Sequence, residues 1–182
     1  MFSKFTAGSR ADIKSTTPLK SSAQRNLKSK LVEAYPKLEP FIDDIIPKKS
    51  QMSLIKCEER VSLYSIDGKV VFYQHFDDAL LPSLRLVHLY PECFPMVRVD
   101  RGAIKFVLSG ANIMAPGMTS AGGMLPDGLE AEQAVIVMAE GKDHAVAVGV
   151  TKMSAAEMKE KNKGIGIETA HFLGDWLWAL EA

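Results

Sequence analysis

Two runs of small and β-branched residues, AVIVMAE at 134–140 and HAVAVGV at 144–150, leave this chain little freedom. Neither alternates apolar with polar residues, so a strand built from either must be covered on both faces. Two such strands in succession predict a small closed or strongly curled β-barrel, its interior filled by Val, Ile and Ala side chains. The neighbouring segments fit around it. From Met96 onward the pattern reads as a strand (MVRVD), a helix (GAIKFVLSG), a short strand (ANIM) and a Pro/Gly loop, followed by the two runs. A helix (SAAEMKEKN) and a last strand near IGIETAHFL complete the order. Ser154 and Glu157 have the spacing of a capping box, Asp100 at a strand end just before Arg101-Gly102 reads as a helix cap, and Gly164 is a typical helix stop.

The first half reads differently. Leu19, Ala23, Leu27, Leu31 and Ala34 or Tyr35 recur at helical spacing, with Lys20, Arg25, Lys28 and Lys30 largely off the stripe, which predicts a basic amphipathic helix ended by Pro36. LEPFIDDII predicts a second, shorter helix with Phe41, Ile42, Ile45 and Ile46 toward a core. MSLIKCEE, VSLYSI and KVVFYQHF read as strands, the last two joined by Asp67-Gly68, a strong hairpin signal. LRLVHLYPE predicts a helix with Ser83 at its N-cap and Pro91 closing it. Residues before Pro18 lack periodicity and are expected to be loosely ordered. A boundary at Cys93-Phe94-Pro95 gives an α+β fold in two parts, an N-terminal α/β domain at 1–94 and the barrel domain at 95–182.

Net charge is zero, with 22 basic and 22 acidic residues, which argues against a protein that simply coats a polyanion. The average hides an asymmetry: residues 1–56 hold eleven Lys/Arg against five Asp/Glu, and the remainder eleven against seventeen. The basic first third suits an acidic partner, RNA or protein, and equally a solvated lysine-rich helix face. Cys57 and Cys93 stand alone without CxxC or paired histidine, so neither a zinc site nor a disulfide framework is indicated. No apolar run is long enough for a membrane span and no secretory signal opens the chain, so a cytoplasmic protein is expected.

Catalysis finds little support. His75, His88, His144 and His171 are scattered without partner spacing, and Asp43-Asp44 and Asp77-Asp78 are adjacent pairs whose side chains diverge. GxSxG, P-loop and HExxH strings do not occur, so no enzyme activity, cofactor, metal or small-molecule substrate is expected. Leu80, Leu81, Tyr90, Phe94, Trp176 and Trp178 are either partner anchors or core; the tryptophan pair reads as tying the tail onto the barrel.

The strings VDRGAIKFVLSGANIMAPG and KMSAAEMKEKNKGIGIE resemble the PUA domain of archaeosine transglycosylase and pseudouridine synthases. That resemblance implies an RNA surface made by Arg101, Gly102, Ala103, Lys105, Ser109, Gly110, Ala111 and Asn112, with Gly117 in the following loop and Lys163, Gly164 and Gly166 alongside. Glycines at 110 and 117 would let backbone N–H groups approach a phosphate, with Arg101, Lys105 and Lys163 supplying charge. Spacing alone is also satisfied by Gly102 and Gly110 as turn-formers and Lys105 as a solvated lysine. Over nearly its whole length, through KSSAQRNLKSKLVEAYP, IIPKKSQ and LPSLRLVHLYP as well, the chain resembles the malignant-T-cell-amplified-sequence family and its fungal translation-machinery-associated counterparts.

What the family implies is a non-catalytic RNA-binding translation factor. It would act with density-regulated protein on the small ribosomal subunit, touching ribosomal RNA and tRNA, in tRNA and mRNA release, recycling and reinitiation. Because PUA domains accompany RNA-modifying enzymes, the alternative is such an enzyme or its targeting subunit. Two family features bear on single residues. Ala115 stands where relatives often carry cysteine, which argues against an essential thiol. Ser83 falls where some members are phosphorylated, although a helix N-cap explains it as well.

Overall fold

A computed structural model describes residues 1–6 and 8–180 of the chain. The first half builds an antiparallel sheet from β1 (Ile13–Pro18), β2 (Met52–Cys57), β3 (Val61–Ile66), β4 (Lys69–His75) and β5 (Leu81–Pro82), in that spatial order. Asp67 and Gly68 make the two-residue β3–β4 turn, both at positive φ, which is the twist such hairpins need. One face of the sheet carries α1 (Ser21–Ala34), whose end residue Tyr35 stacks on Phe72. The opposite face, through Tyr73, meets Phe2 and the second domain's His171. Two other helices complete this half: the single turn α2 (Ile42–Ile45) and α3 (Leu84–Leu89).

In the second half, β6 (Met96–Val99) leads through α4 (Ile104–Val107), β7 (Ile113–Met114) and α5 (Pro116–Thr119) to β8 (Ala134–Ala139) and β9 (Ala147–Thr151). After α6 (Ala155–Lys161) come β10 (Ile165–Phe172) and α7 (Trp176–Leu180). The sheet order is β6-β8-β9-β10-β7, with β6 and β8 parallel and the other pairs antiparallel. Both valine-rich runs form strands, the first from its start at Ala134 and the second only from Ala147, three residues later than its apolar pattern begins. Val135, Val137 and Ala147 fill the domain's own core, while Ile136 and Val148 face the first domain, so each strand is apolar on both sides because each side is covered.

Several sequence expectations need correction. The segment before Pro18 is not slack: Ile13–Pro18 pairs with β2, and Phe2 and Phe5 are buried against Trp176. The tryptophans tie the tail to the first domain instead of the barrel. Trp176 Nε1 donates to the Ser9 carbonyl at 2.8 Å, and the Arg85 guanidinium lies 4.0 Å above the Trp178 ring. Ala23 is exposed, and Gln24 occupies the buried stripe with Leu27 and Leu31. Phe41 is exposed and leans on Tyr90, and the first part of LEPFIDDII, through Phe41, is a tight 3-10 turn because Pro40 interrupts α-helical bonding, so only Ile42–Ile45 is α-helical. The residue that ends α6 in the left-handed conformation is Asn162, two positions before Gly164.

Caps behave as read. Ser83, Asp100 and Ser154 each accept a hydrogen bond from the backbone N–H three residues on. Ser83 is fully buried and its hydroxyl also donates to the Val70 carbonyl at 2.9 Å, so a kinase would reach it only after local opening.

Candidate nucleic-acid interface

Parallel pairing of β6 with β8 decides what sits beside the predicted RNA helix. Val99 is opposite Ala139, so the residues that follow each strand emerge together: Asp100-Arg101-Gly102 from one and Glu140-Gly141-Lys142 from the other. The Arg101 N–H donates to Glu140 Oε2 at 2.8 Å, and the Arg101 guanidinium lies directly over Gly141. Glu140 is itself seated against Gly122, where a methyl group would overlap its carboxylate. Asp100 accepts from the Ala103 N–H at 2.9 Å, and its other oxygen holds the Ser120 hydroxyl. These bonds fix the start of the 3-10 turn Arg101–Ala103 that runs into α4.

Between the two emerging segments lies a groove of about 590 Å³, with Arg101, Gly102, Ile104, Lys105 and Leu108 on one wall and Glu140, Gly141 and Lys142 on the other. Three cations face one carboxylate, and that carboxylate is occupied by the Arg101 N–H. The result is a concave, positively charged surface suited to phosphate. Directly beside it stands Phe106, 56% exposed, with the Lys105 ammonium 5.0 Å from its ring centre. An exposed aromatic next to a cationic groove is the pairing that holds an unpaired nucleobase and its phosphate together.

Arg101, Gly102 and Lys105 therefore converge as the sequence suggested, but the remaining predicted residues have other employment. Ser109 through Asn112 form the loop that pins α4 to β10. Asn112 Oδ1 accepts from the Thr169 N–H at 3.1 Å, and the Ala111 carbonyl accepts from the Thr169 hydroxyl at 2.9 Å. Gly110, at φ +86°, packs against the Phe172 ring, so conformation and close approach account for it without a phosphate. The Gly117 carbonyl accepts from the Asp100 N–H, and the Gly164 carbonyl from the Ala115 N–H. Lys163 and Gly164 are exposed beside α5 and do not line the groove.

Sequence reading missed Lys142, Phe106 and Leu108. Lys142 had no local signal, because only strand pairing brings it to Arg101. Phe106 and Leu108 lie in the predicted helix GAIKFVLSG, where Val107 is the buried residue and both of them are exposed. Among the described residues, no cluster of three or more His, Cys, Asp or Glu could hold a metal ion, and no helix is long and apolar enough to cross a membrane.

The fold and this site define a two-domain protein of the PUA class. A Pre-PUA-like domain model matches residues 9–91 and a PUA domain model residues 95–173. Translation machinery-associated protein 20 of Schizosaccharomyces pombe is 62% identical, covering 98% of this chain and 97% of that protein. The Malignant T-cell-amplified sequence 1 homolog of Drosophila melanogaster is 49% identical over the same shares. Among solved structures, a hypothetical protein of Pyrococcus horikoshii superposes with a TM-score of 0.75 at 25% identity, over 92% of this chain and 100% of that one. The chain belongs to the family of translation machinery-associated protein 20 and the malignant T-cell-amplified sequence proteins.

Proposed function

We propose that this chain is a non-catalytic RNA-binding translation factor that works in the cytoplasm on the small ribosomal subunit, with density-regulated protein as its partner. Its tasks in this reading are release of tRNA and mRNA after termination, subunit recycling and reinitiation. The observation that carries the RNA-binding part is the groove of Arg101, Lys105 and Lys142, with the exposed Phe106 ring against the Lys105 ammonium. Relatives named for association with the translation machinery support the setting. Phosphate contacts of this kind position an RNA without reading a sequence, which suits a factor that must accept many messages.

Binding to small ribosomal subunits, measured over a salt series with and without density-regulated protein, tests the reading. Lys105→Glu combined with Lys142→Glu should weaken binding and flatten the salt dependence by about two, roughly one for each lysine removed from a phosphate. Affinity and slope equal to those of the unaltered protein would overturn the groove as the RNA site, and no binding by the unaltered protein in either condition would overturn the ribosomal setting.

A further inference from the structure

We propose that His88 of the first domain is a positioning residue for the RNA groove. Its imidazole N–H holds the loop that carries Lys142, so the full grip of the groove on phosphate depends on the docking of the two domains. The inference rests on the groove reading above and adds to it a group that does not line the groove.

The loop joins β8 to β9 and runs from Glu140 to Val146. Its first part is secured within the second domain, where the Glu140 N–H donates to the Val99 carbonyl at 2.9 Å and the Lys142 N–H to the Ala139 carbonyl at 3.0 Å. At the far end, one peptide unit is bonded to both domains. The Val146 N–H donates to the Val137 carbonyl at 2.8 Å, and the Ala145 carbonyl of the same unit lies 2.9 Å from His88 Nε2. A carbonyl oxygen only accepts, so Nε2 carries the proton and the ring is the donor. Ala145 is 2% exposed, and a buried carbonyl stripped of its donor has little water to replace it. Beside it, the His144 ring tilts against the His88 ring with centroids 5.2 Å apart. Residues 141–144 are exposed, so packing within the second domain does little to fix the stretch between these anchors.

His88 is itself held from its other side. Its ring meets the Trp178 indole edge-on at 5.7 Å. Arg85 lies one turn earlier on α3, with its guanidinium over that indole and donating to the Trp178 carbonyl at 3.3 Å. The Trp178 N–H in turn donates to Asp175. One face of α3 thus grips both the C-terminal helix and the loop.

The position of the loop matters because the groove has two walls. Arg101 and Lys105 stand on the α4 wall, and Lys142 is the cation of the facing wall. A charged group contributes fully to binding when its supporting shell already holds it in place; a loose loop must instead be ordered by the ligand, which weakens binding.

The test uses the full chain and protein-free small-subunit ribosomal RNA. His88→Phe keeps a ring against Trp178 and His144 but removes the donor. His88→Gln keeps an amide donor at about the place of Nε2, and His88→Asn, whose amide stops short of it, is a second donor-free variant should His88→Phe fold poorly. Amide exchange without RNA comes first: loss of the donor should accelerate exchange across residues 142–146 by at least ~10-fold, while His88→Gln stays near the unaltered rate. RNA affinity should then fall ~3- to 10-fold without the donor, with a salt slope flatter by about one, the share of one phosphate contact. Combined with Lys142→Gln, loss of the donor should weaken binding no further, because a positioning residue acts through the group it positions. Unchanged loop exchange, an equal loss with His88→Gln, or additive losses in the double variant would each overturn the proposal. The groove reading fails separately: Lys142→Gln binding as tightly as the unaltered protein would sink it, while loop exchange would still decide whether His88 holds the loop.

Discussion

His171 and Asp175 face each other across 2.7 Å in a pair almost wholly shielded from water. The same carboxylate accepts the Phe172 and Trp178 N–H groups, so one side chain closes β10, starts α7 and orients the imidazole. That imidazole meets Phe2 and Tyr73 edge-on, which places it at the junction of the two domains. Asp175→Ala should therefore cost about 3–5 kcal/mol, the range for breaking a buried pair and orphaning its partners. Urea unfolding checks this, and a loss under ~1 kcal/mol would show that the junction does not depend on the pair.

Phe106 offers the opposite case, a large side chain with little structural duty. Phe106→Ala should leave the melting temperature within about 2 °C and weaken RNA binding by ~5- to 100-fold, the range for removing one base-aromatic stack of about 1–3 kcal/mol. A change in stability without a change in binding would identify Phe106 as packing.

Glu140 is held in place by the lack of a side chain at Gly122, which also has φ +89°. Gly122→Ala is expected to destabilise the protein by ~1–3 kcal/mol and to release the Arg101 N–H from its acceptor. Amide hydrogen exchange at Arg101 should then accelerate strongly. Protection equal to that of the unaltered protein would mean that the turn is fixed by Asp100 alone.

Burial pushes the Cys57 thiol up to about 11, helped by the nearby carboxylates of Asp12 and Glu58. At pH 8 only about one folded molecule in a thousand carries the thiolate, so iodoacetamide should modify Cys57 slowly unless urea is added. Because the unfolded chain ionises this thiol near its ordinary value, stability falls as the pH rises from about 9 toward 11. Rapid labelling of the native protein at pH 8 would contradict the burial.

Legibility followed the range of the interaction. The β8 and β9 strands, the Asp67-Gly68 turn, and the caps at Ser83, Asp100 and Ser154 were readable, because each is fixed by residues within a few positions of one another. Arg101, Gly102 and Lys105 were readable too, through the family string that contains them. Phe2 and Phe5 were not, because the surface that buries them includes Trp176, whose indole bonds Ser9 across 167 residues.

The stretch AVIVMAE through HAVAVGV by itself determined that a two-sided, curled sheet would form, since strands without a polar face cannot meet water on either side. What it could not determine was which loop would stand beside Arg101. Parallel pairing of β6 with β8 decided that, bringing Glu140 to Arg101 across 39 residues and carrying Lys142 into the groove with it. Register between distant strands is a property of the packed whole, and the candidate site exists only at that level.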